Sequence, residues 1–259
     1  MNIALDSVFT HHHIKKIWAK ATSSVEIYLL KISKCCLCGG NVTTFRQLCD
    51  FCYADFPRFN YQQFEGNLLN WPPIQRNVTH KHIDYLFALS PYLWPFDDWL
   101  KQLKYAQRFE HANLLAELLA SQWKNSPKHE NVHTANSDVL FTPVAIHPLR
   151  WCQRGYNQSH LIAKQFCRIS QLPYDATLVH RIHQAASQVG QSGSARRKQL
   201  RGAFAVSPHI KRLPSTVFII DDVVTTGTTV NEIARVLKQN GVKYVGVIAV
   251  ALSLPQHGI

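Results

Sequence analysis

The sequence predicts an α/β chain: a parallel sheet with flanking helices, preceded by a small module built on four cysteines. Three observations carry that prediction. Short apolar runs at residues 138–146, 217–220 and 244–252 have the length of buried strands. They alternate with stretches whose apolar residues recur three and four apart: Leu115, Leu118 and Leu119, then Ile162, Phe166 and Ile169, then Val230, Ile233, Ala234 and Leu237. Strands that alternate with such helices pair in parallel, the helices serving as crossovers. Five of the seven cysteines fall between Cys35 and Cys52, which marks off a separate metal-type module.

Four zones follow along the chain. Residues 1–34 carry Ile14, Ile17, Trp18, Val25, Leu29 and Leu30 and predict one or two short amphipathic helices. Residues 35–56 hold the cysteine cluster. Residues 57–96 contain Pro57, Gly66, Pro72, Pro73, Pro91 and Pro95 and read as a loop-rich connector with one strand near residues 85–89. Residues 97–259 carry the regular alternation and form the main domain. With 46% hydrophobic residues the chain has ample material for that domain's core.

The chain is basic, with 28 Lys and Arg against 16 Asp and Glu and a formal net charge of +12. Between Arg150 and Arg212 eleven Lys and Arg face one acid, Asp175. Such a stretch is either solvated or meets an anion. The apolar content excludes a disordered tail protein. No apolar run reaches the length of a membrane span, and His11, His12, His13, Lys15 and Lys16 stand where a signal peptide would have its apolar core. A cytoplasmic chain is expected, and an odd cysteine count fits its reducing environment better than a disulfide scaffold does.

The most informative stretch is residues 217–229, Val-Phe-Ile-Ile-Asp-Asp-Val-Val-Thr-Thr-Gly-Thr-Thr, followed by helical spacing. A buried strand delivers Asp221 and Asp222 at its carboxyl end, where open α/β sheets bind ligands. Gly227 lets the backbone approach closely. The hydroxyls of Thr225, Thr226, Thr228 and Thr229 and the amides at the helix start can donate to a phosphate. Two acids can accept from vicinal sugar hydroxyls, so the pattern reads as a ribose 5-phosphate site. The strand ending in Asp-Asp also occurs in P-loop ATPases, but the sequence lacks the Gly-x-x-x-x-Gly-Lys-Ser/Thr loop they require. A structural strand, turn and N-capped helix is the blander alternative.

Two basic segments complete the pattern. Residues 151–159 lead from a turn into a helix and bring Arg154 and the Gly155 amide near another strand's carboxyl end. Residues 188–202 give a Gly/Ser-containing lead followed by Arg196, Arg197, Lys198 and Arg201. A pyrophosphate leaving group needs cations and a mobile cover, which such a loop could supply. A solvated charged loop is the competing reading.

The run FIIDDVVTTGTT resembles the motif that binds phosphoribosyl pyrophosphate (PRPP) in type I phosphoribosyltransferases. That resemblance implies that Asp221 and Asp222 hold the ribose 2- and 3-hydroxyls and that residues 225–229 hold the 5-phosphate. The CxxC pair, Leu103-Lys104-Tyr105, Arg154-Gly-Tyr-Asn-Gln158, residues 197–204 (RKQLRGAF) and the PRPP motif, in that order, are together similar to the ComF family over residues 35–252. The resemblance implies a phosphoribosyltransferase fold, an N-terminal zinc module, and a link to DNA uptake and the competence machinery in bacterial natural competence. One departure falls at Pro143-Val-Ala-Ile-His147, where the family typically has Pro-Val-Pro-Leu-His, in a segment expected to form part of the pyrophosphate loop.

Cys35-x2-Cys38, ten intervening residues, then Cys49-x2-Cys52 is the spacing of a tetrahedral four-thiolate zinc site. Such a site is expected to be structural, tying a subdomain that has little core of its own. Cys36 in place of Cys35, or a redox-active pair, are the alternatives. Cys152 and Cys167 read as ordinary thiols.

Three functions are therefore weighed. The first is magnesium-dependent phosphoribosyl transfer, with Asp221 and Asp222 positioning the sugar and Arg154 and Arg197 stabilising the leaving pyrophosphate. The second is a non-catalytic single-stranded DNA-binding protein with a regulatory or vestigial PRPP site. Basic residues interleaved with Trp99, Tyr105, Phe109, Trp151 and Tyr156 favour it. The third is a zinc-stapled scaffold without a ligand.

Overall fold

The computed structural model describes residues 34–42, 47–126, 138–182 and 200–254. The helices expected before residue 34, the run His11, His12 and His13, and Arg196, Arg197 and Lys198 lie outside the described residues. The chain divides into two compact units, Met1–Phe56 and Pro57–Ile259. In the first, the described residues form a cysteine-bearing turn and a short helix, α1 (Asp50–Asp55).

The second unit holds α2 (Pro72–Asn77), β1 (Tyr85–Pro91), α3 (Phe96–Tyr105), α4 (Glu110–Lys124), β2 (Val139–Pro143), α5 (Pro148–Arg154) and α6 (Gln158–Ile169). It continues through β3 (Val179–Arg181), β4 (Phe204–Val206), β5 (Thr216–Val224), α7 (Thr228–Gln239) and β6 (Tyr244–Leu252). Four strands pair in parallel in the order β1-β6-β5-β2. All four therefore end at one edge of the sheet, and that edge carries the site. β6 is buried along almost its whole length and Val217 to Ile220 of β5 are fully buried, as strands covered on both faces must be. β3 and β4 form a separate antiparallel pair; at three residues each they are too short to leave a periodic signal. Residues 57–96, expected as a connector, belong to this unit and supply its edge strand β1.

Helical spacing explains the outer layer. Val230, Ile233, Ala234 and Leu237 form one stripe of α7 and are 0–1% exposed, the valine, isoleucine and leucine each contributing about 1.5–3 kcal/mol by leaving water. On α6 the buried stripe runs through Ile162, Phe166 and Cys167, while Ile169, expected to continue it, is 42% exposed at the helix end. The core is aromatic: Trp123 of α4 meets Phe87 at 5.3 Å and Phe218 at 5.6 Å, and Phe218 stacks on Phe141 at 4.9 Å. Gly246 makes room for that stack, since a Cβ there would lie 2.4 Å from the Phe218 ring.

Candidate functional site

A cavity of about 640 Å³ opens at the carboxyl ends of the four parallel strands. Tyr92 follows β1 into it, the Val144 to His147 segment follows β2, and Ser253 follows β6. The Asp221 to Val230 segment of β5, its loop and the start of α7 forms the centre. Parallel pairing alone brings these ends together, as the switch-point rule for open sheets requires.

The phosphate-facing end is made of backbone. Gly227 has φ 69° at the N-cap of α7, and no side-chain hydrogen bond caps that helix start. The first-turn N–H groups of a 12-residue helix are thereby available to an anion. A Cβ at position 227 would lie 2.6 Å from both the Thr79 carbonyl oxygen and Val78 Cγ1, so glycine is required by conformation and by space. The Thr79 N–H donates to the Thr226 carbonyl at 2.8 Å and props the loop from behind. Thr226 and Thr228 share a hydroxyl contact of 2.9 Å, with Thr228 buried and Thr225 and Thr226 exposed.

The two acids leave β5 in opposite directions, because neighbouring strand residues face opposite sides of a sheet. Asp221 turns toward α6, where Ser159 Oγ donates to its Oδ1 at 2.9 Å and the Asp222 N–H donates to the same oxygen at 2.9 Å. Asp222 turns toward α3, where Lys104 Nζ stands 2.5 Å from its Oδ2, while the Val223 N–H takes its Oδ1 at 2.8 Å. Burial and the Asp222 charge push the Asp221 carboxyl up to about 7, against the opposing pull of Ser159 and Lys104. Burial disfavours the Lys104 charge, but Asp222 and Asp221 outweigh it and hold the ammonium above its usual range.

Cations also line the cavity. Arg154 ends α5, just before Gly155, and its guanidinium lies 5.2 Å over the Tyr105 ring. Arg150 and Arg181 also face the cavity, Arg181 from β3 with its guanidinium 5.4 Å over Phe204. The variant Pro143 to His147 segment is held at both ends. Val144 donates its N–H to Ile220 and accepts from Asn157 Nδ2 at 2.9 Å, and His147 Nδ1 caps α5 by accepting from the Leu149 N–H at 3.1 Å. Sequence reasoning gave no role to Ser159 or Arg181, and placed Lys104 only among the basic residues of a DNA-binding surface. Lys104 stood in the Leu103-Lys104-Tyr105 motif and Arg181 in the basic stretch, whereas nothing in the sequence set Ser159 apart.

In the first unit the Sγ atoms of Cys35, Cys38, Cys49 and Cys52 all lie within 4.8 Å of one another and could hold a metal ion. Tetrahedral zinc with Zn–S bonds near 2.3 Å would set sulfurs about 3.8 Å apart, and Cys38 and Cys49 stand at 3.6 Å. The Gly40 and Cys52 N–H groups point at Cys38 and Cys49 sulfur at 3.4 and 3.5 Å, as in a knuckle turn. All described cysteines are free thiols, and Cys36 is exposed outside the cluster. The Cys52 thiol is pushed up by burial and by the crowding of its thiol neighbours; a cation would relieve that crowding.

The sheet, the acidic strand end and the Thr/Gly loop define an α/β domain of the phosphoribosyltransferase class. The family model of the phosphoribosyl transferase domain matches residues 161–256. Competence protein F of Haemophilus influenzae is 27% identical over 231 residues, covering 84% of this chain and 96% of that protein. DNA utilization protein YhgH of Escherichia coli K12 is 31% identical over 208 residues, covering 80% of this chain and 85% of that one. The chain therefore belongs to the ComF family. A purine phosphoribosyltransferase from Pyrococcus horikoshii aligns at 14% identity over 54% of this chain and 73% of that one, with a TM-score of 0.28 that is too low to weigh. Among the described residues no helix is long and apolar enough to cross a membrane.

Proposed function

We propose that this chain binds PRPP with magnesium in the cavity at the strand ends and serves DNA uptake during natural competence in the cytoplasm. The observation that carries the reading is the union, in one cavity, of an acidic pair, a Thr/Gly loop with uncapped helix amides, and arginines. On this reading Asp221 and Asp222 accept from the ribose 2- and 3-hydroxyls. Thr225, Thr226, Gly227, Thr228 and Thr229 take the 5-phosphate and Arg154 faces the pyrophosphate; Arg197, outside the described residues, is the second candidate the sequence offers for that role.

Transfer at such a site needs no protein nucleophile. The acceptor's lone pair attacks the anomeric carbon while the bond to pyrophosphate oxygen breaks, and the leaving group keeps that electron pair. The protein fixes the sugar and lays cations where negative charge grows. Magnesium commonly takes phosphate oxygens and one or two carboxylates, so Asp221 and Asp222 would be the residues to hold it here, where it would offset pyrophosphate charge. PRPP with magnesium is expected to raise the melting temperature of the wild type by mass action and to leave Asp221→Asn/Asp222→Asn unmoved. An equal shift in both proteins would refute the site.

Cys35, Cys38, Cys49 and Cys52 fit a structural zinc, which would tie a short unit of little core. Elemental analysis should give one zinc per chain, lost in Cys49→Ser; a native protein that holds iron instead, or no metal, would refute it.

Single-stranded DNA is a second reading, compatible with the first. Tyr105 (75% exposed), Trp151 (52%) and Phe109 (46%) offer ring faces beside Arg150 and Arg154, a composition suited to base stacking and backbone contact. Trp99, at 3% exposed, drops out of that set. The names of the two relatives, with their reference to competence and DNA use, support this direction, and competence-machinery proteins are the corresponding partners. Binding should weaken steeply as salt rises, and no binding at low salt would eliminate it.

A further inference from the structure

Leu103-Lys104-Tyr105 closes α3, and the phosphoribosyl reading assigns it no task. Yet this tripeptide touches three separate parts of the site. Lys104 Nζ stands 2.5 Å from Asp222, the Leu103 carbonyl accepts from the Tyr156 hydroxyl, and the Tyr105 ring lies under Arg154. The Lys104 side chain, 20% exposed, lines the cavity itself.

Asp222 has little capacity to spare. The Val223 N–H donates to its Oδ1, and Lys104 Nζ stands 2.5 Å from its buried Oδ2. A carboxylate oxygen has lone pairs for two donors, so Oδ1 can accept a ribose hydroxyl beside the Val223 N–H while Lys104 holds the other oxygen. Without the ammonium, Asp222 would be a largely buried carboxylate next to Asp221, a like charge on the same strand. Such a group turns away from its like-charged neighbour, and that response removes a hydroxyl acceptor.

We propose that Lys104 is a positioning residue for the ribose end of the ligand, holding the Asp222 carboxylate aimed so that it accepts a sugar hydroxyl. The inference rests on the sugar-phosphate reading of the cavity. It separates the two ends of the site: Lys104 acts on ligands that carry the sugar diol and not on phosphate held by the loop at Gly227.

The test titrates PRPP, ribose 5-phosphate and inorganic phosphate into wild type, Lys104→Met and Lys104→Arg, with phosphate followed by ³¹P line broadening. Lys104→Gln, whose shorter, uncharged side chain does not replace the ammonium, stands in should the methionine variant fail to fold. The expected result is a loss of about tenfold or more for both sugar phosphates in Lys104→Met or Lys104→Gln. Phosphate binding should stay unchanged, and Lys104→Arg should recover most of the sugar-phosphate affinity. An equal loss for all three ligands would mean a merely structural bridge from helix to sheet, and no loss would mean no role; either overturns the inference. A wild type that binds phosphate but neither sugar phosphate overturns the ribose reading itself.

Discussion

The two ends of the cavity are built from different material. At the phosphate end the groups are backbone: the uncapped first turn of α7, Gly227 at φ 69°, and a Thr226 carbonyl held by the Thr79 N–H. At the cationic end they are long side chains, with Arg154 laid over Tyr105 and Arg181 over Phe204. Backbone groups are ordered once, by folding, whereas each arginine must lose rotamer freedom to serve a ligand. Damage at the first end should therefore take fold and ligand together, and damage at the second should take the ligand alone.

The largest effect is expected from Gly227→Ala. Its Cβ would meet the Thr79 carbonyl oxygen and Val78 Cγ1 at 2.6 Å in a left-handed backbone conformation. Urea unfolding should show a loss of about 3 kcal/mol, with PRPP binding gone. A variant that unfolds like the wild type would erase the proposed contrast between the two ends. Next comes Arg154→Ala, which should weaken PRPP about tenfold while moving the melting temperature little. A large drop in stability there would make the arginine a fold element after all.

The smallest effect concerns pH. The folded chain raises the Asp221 carboxyl to about 7, so it keeps a proton where the unfolded chain has released it. The stability this lends is present in full at acid pH, below the unfolded carboxyl's range, and is lost as pH rises through about 7. Unliganded wild type should lose stability between pH 5 and 8 from this group, and Asp221→Asn should flatten that slope. PRPP affinity should run the other way, rising as the acceptor ionises. A wild-type slope identical to that of the variant would remove Asp221 as the titrating group.

What the sequence made legible follows the same division. The phosphate end lies in one contiguous stretch, residues 217–229, so strand, acids, glycine and hydroxyls could be read in order. The cysteine cluster was legible for the same reason, since ligand spacing is a local property. Ser159 was not, because it meets Asp221 across 62 residues and only the packing of α6 on the sheet joins them. Lys104 likewise reaches Asp222 only through the placement of α3. Trp99 and Tyr105 lie on one helix and looked alike as ring donors, yet one is 3% and the other 75% exposed; which helix face meets the core separates them. β1, β2, β5 and β6 were predictable from apolar runs, while β3 and β4 exist through pairing with each other.

The most direct test of the central claim is calorimetric titration of PRPP with magnesium into the zinc-loaded protein, alongside Asp221→Asn/Asp222→Asn. The account predicts one site per chain in the wild type and an affinity lower by about a hundredfold or more in the folded variant. Binding of equal strength in both proteins, or none in the wild type, would contradict it.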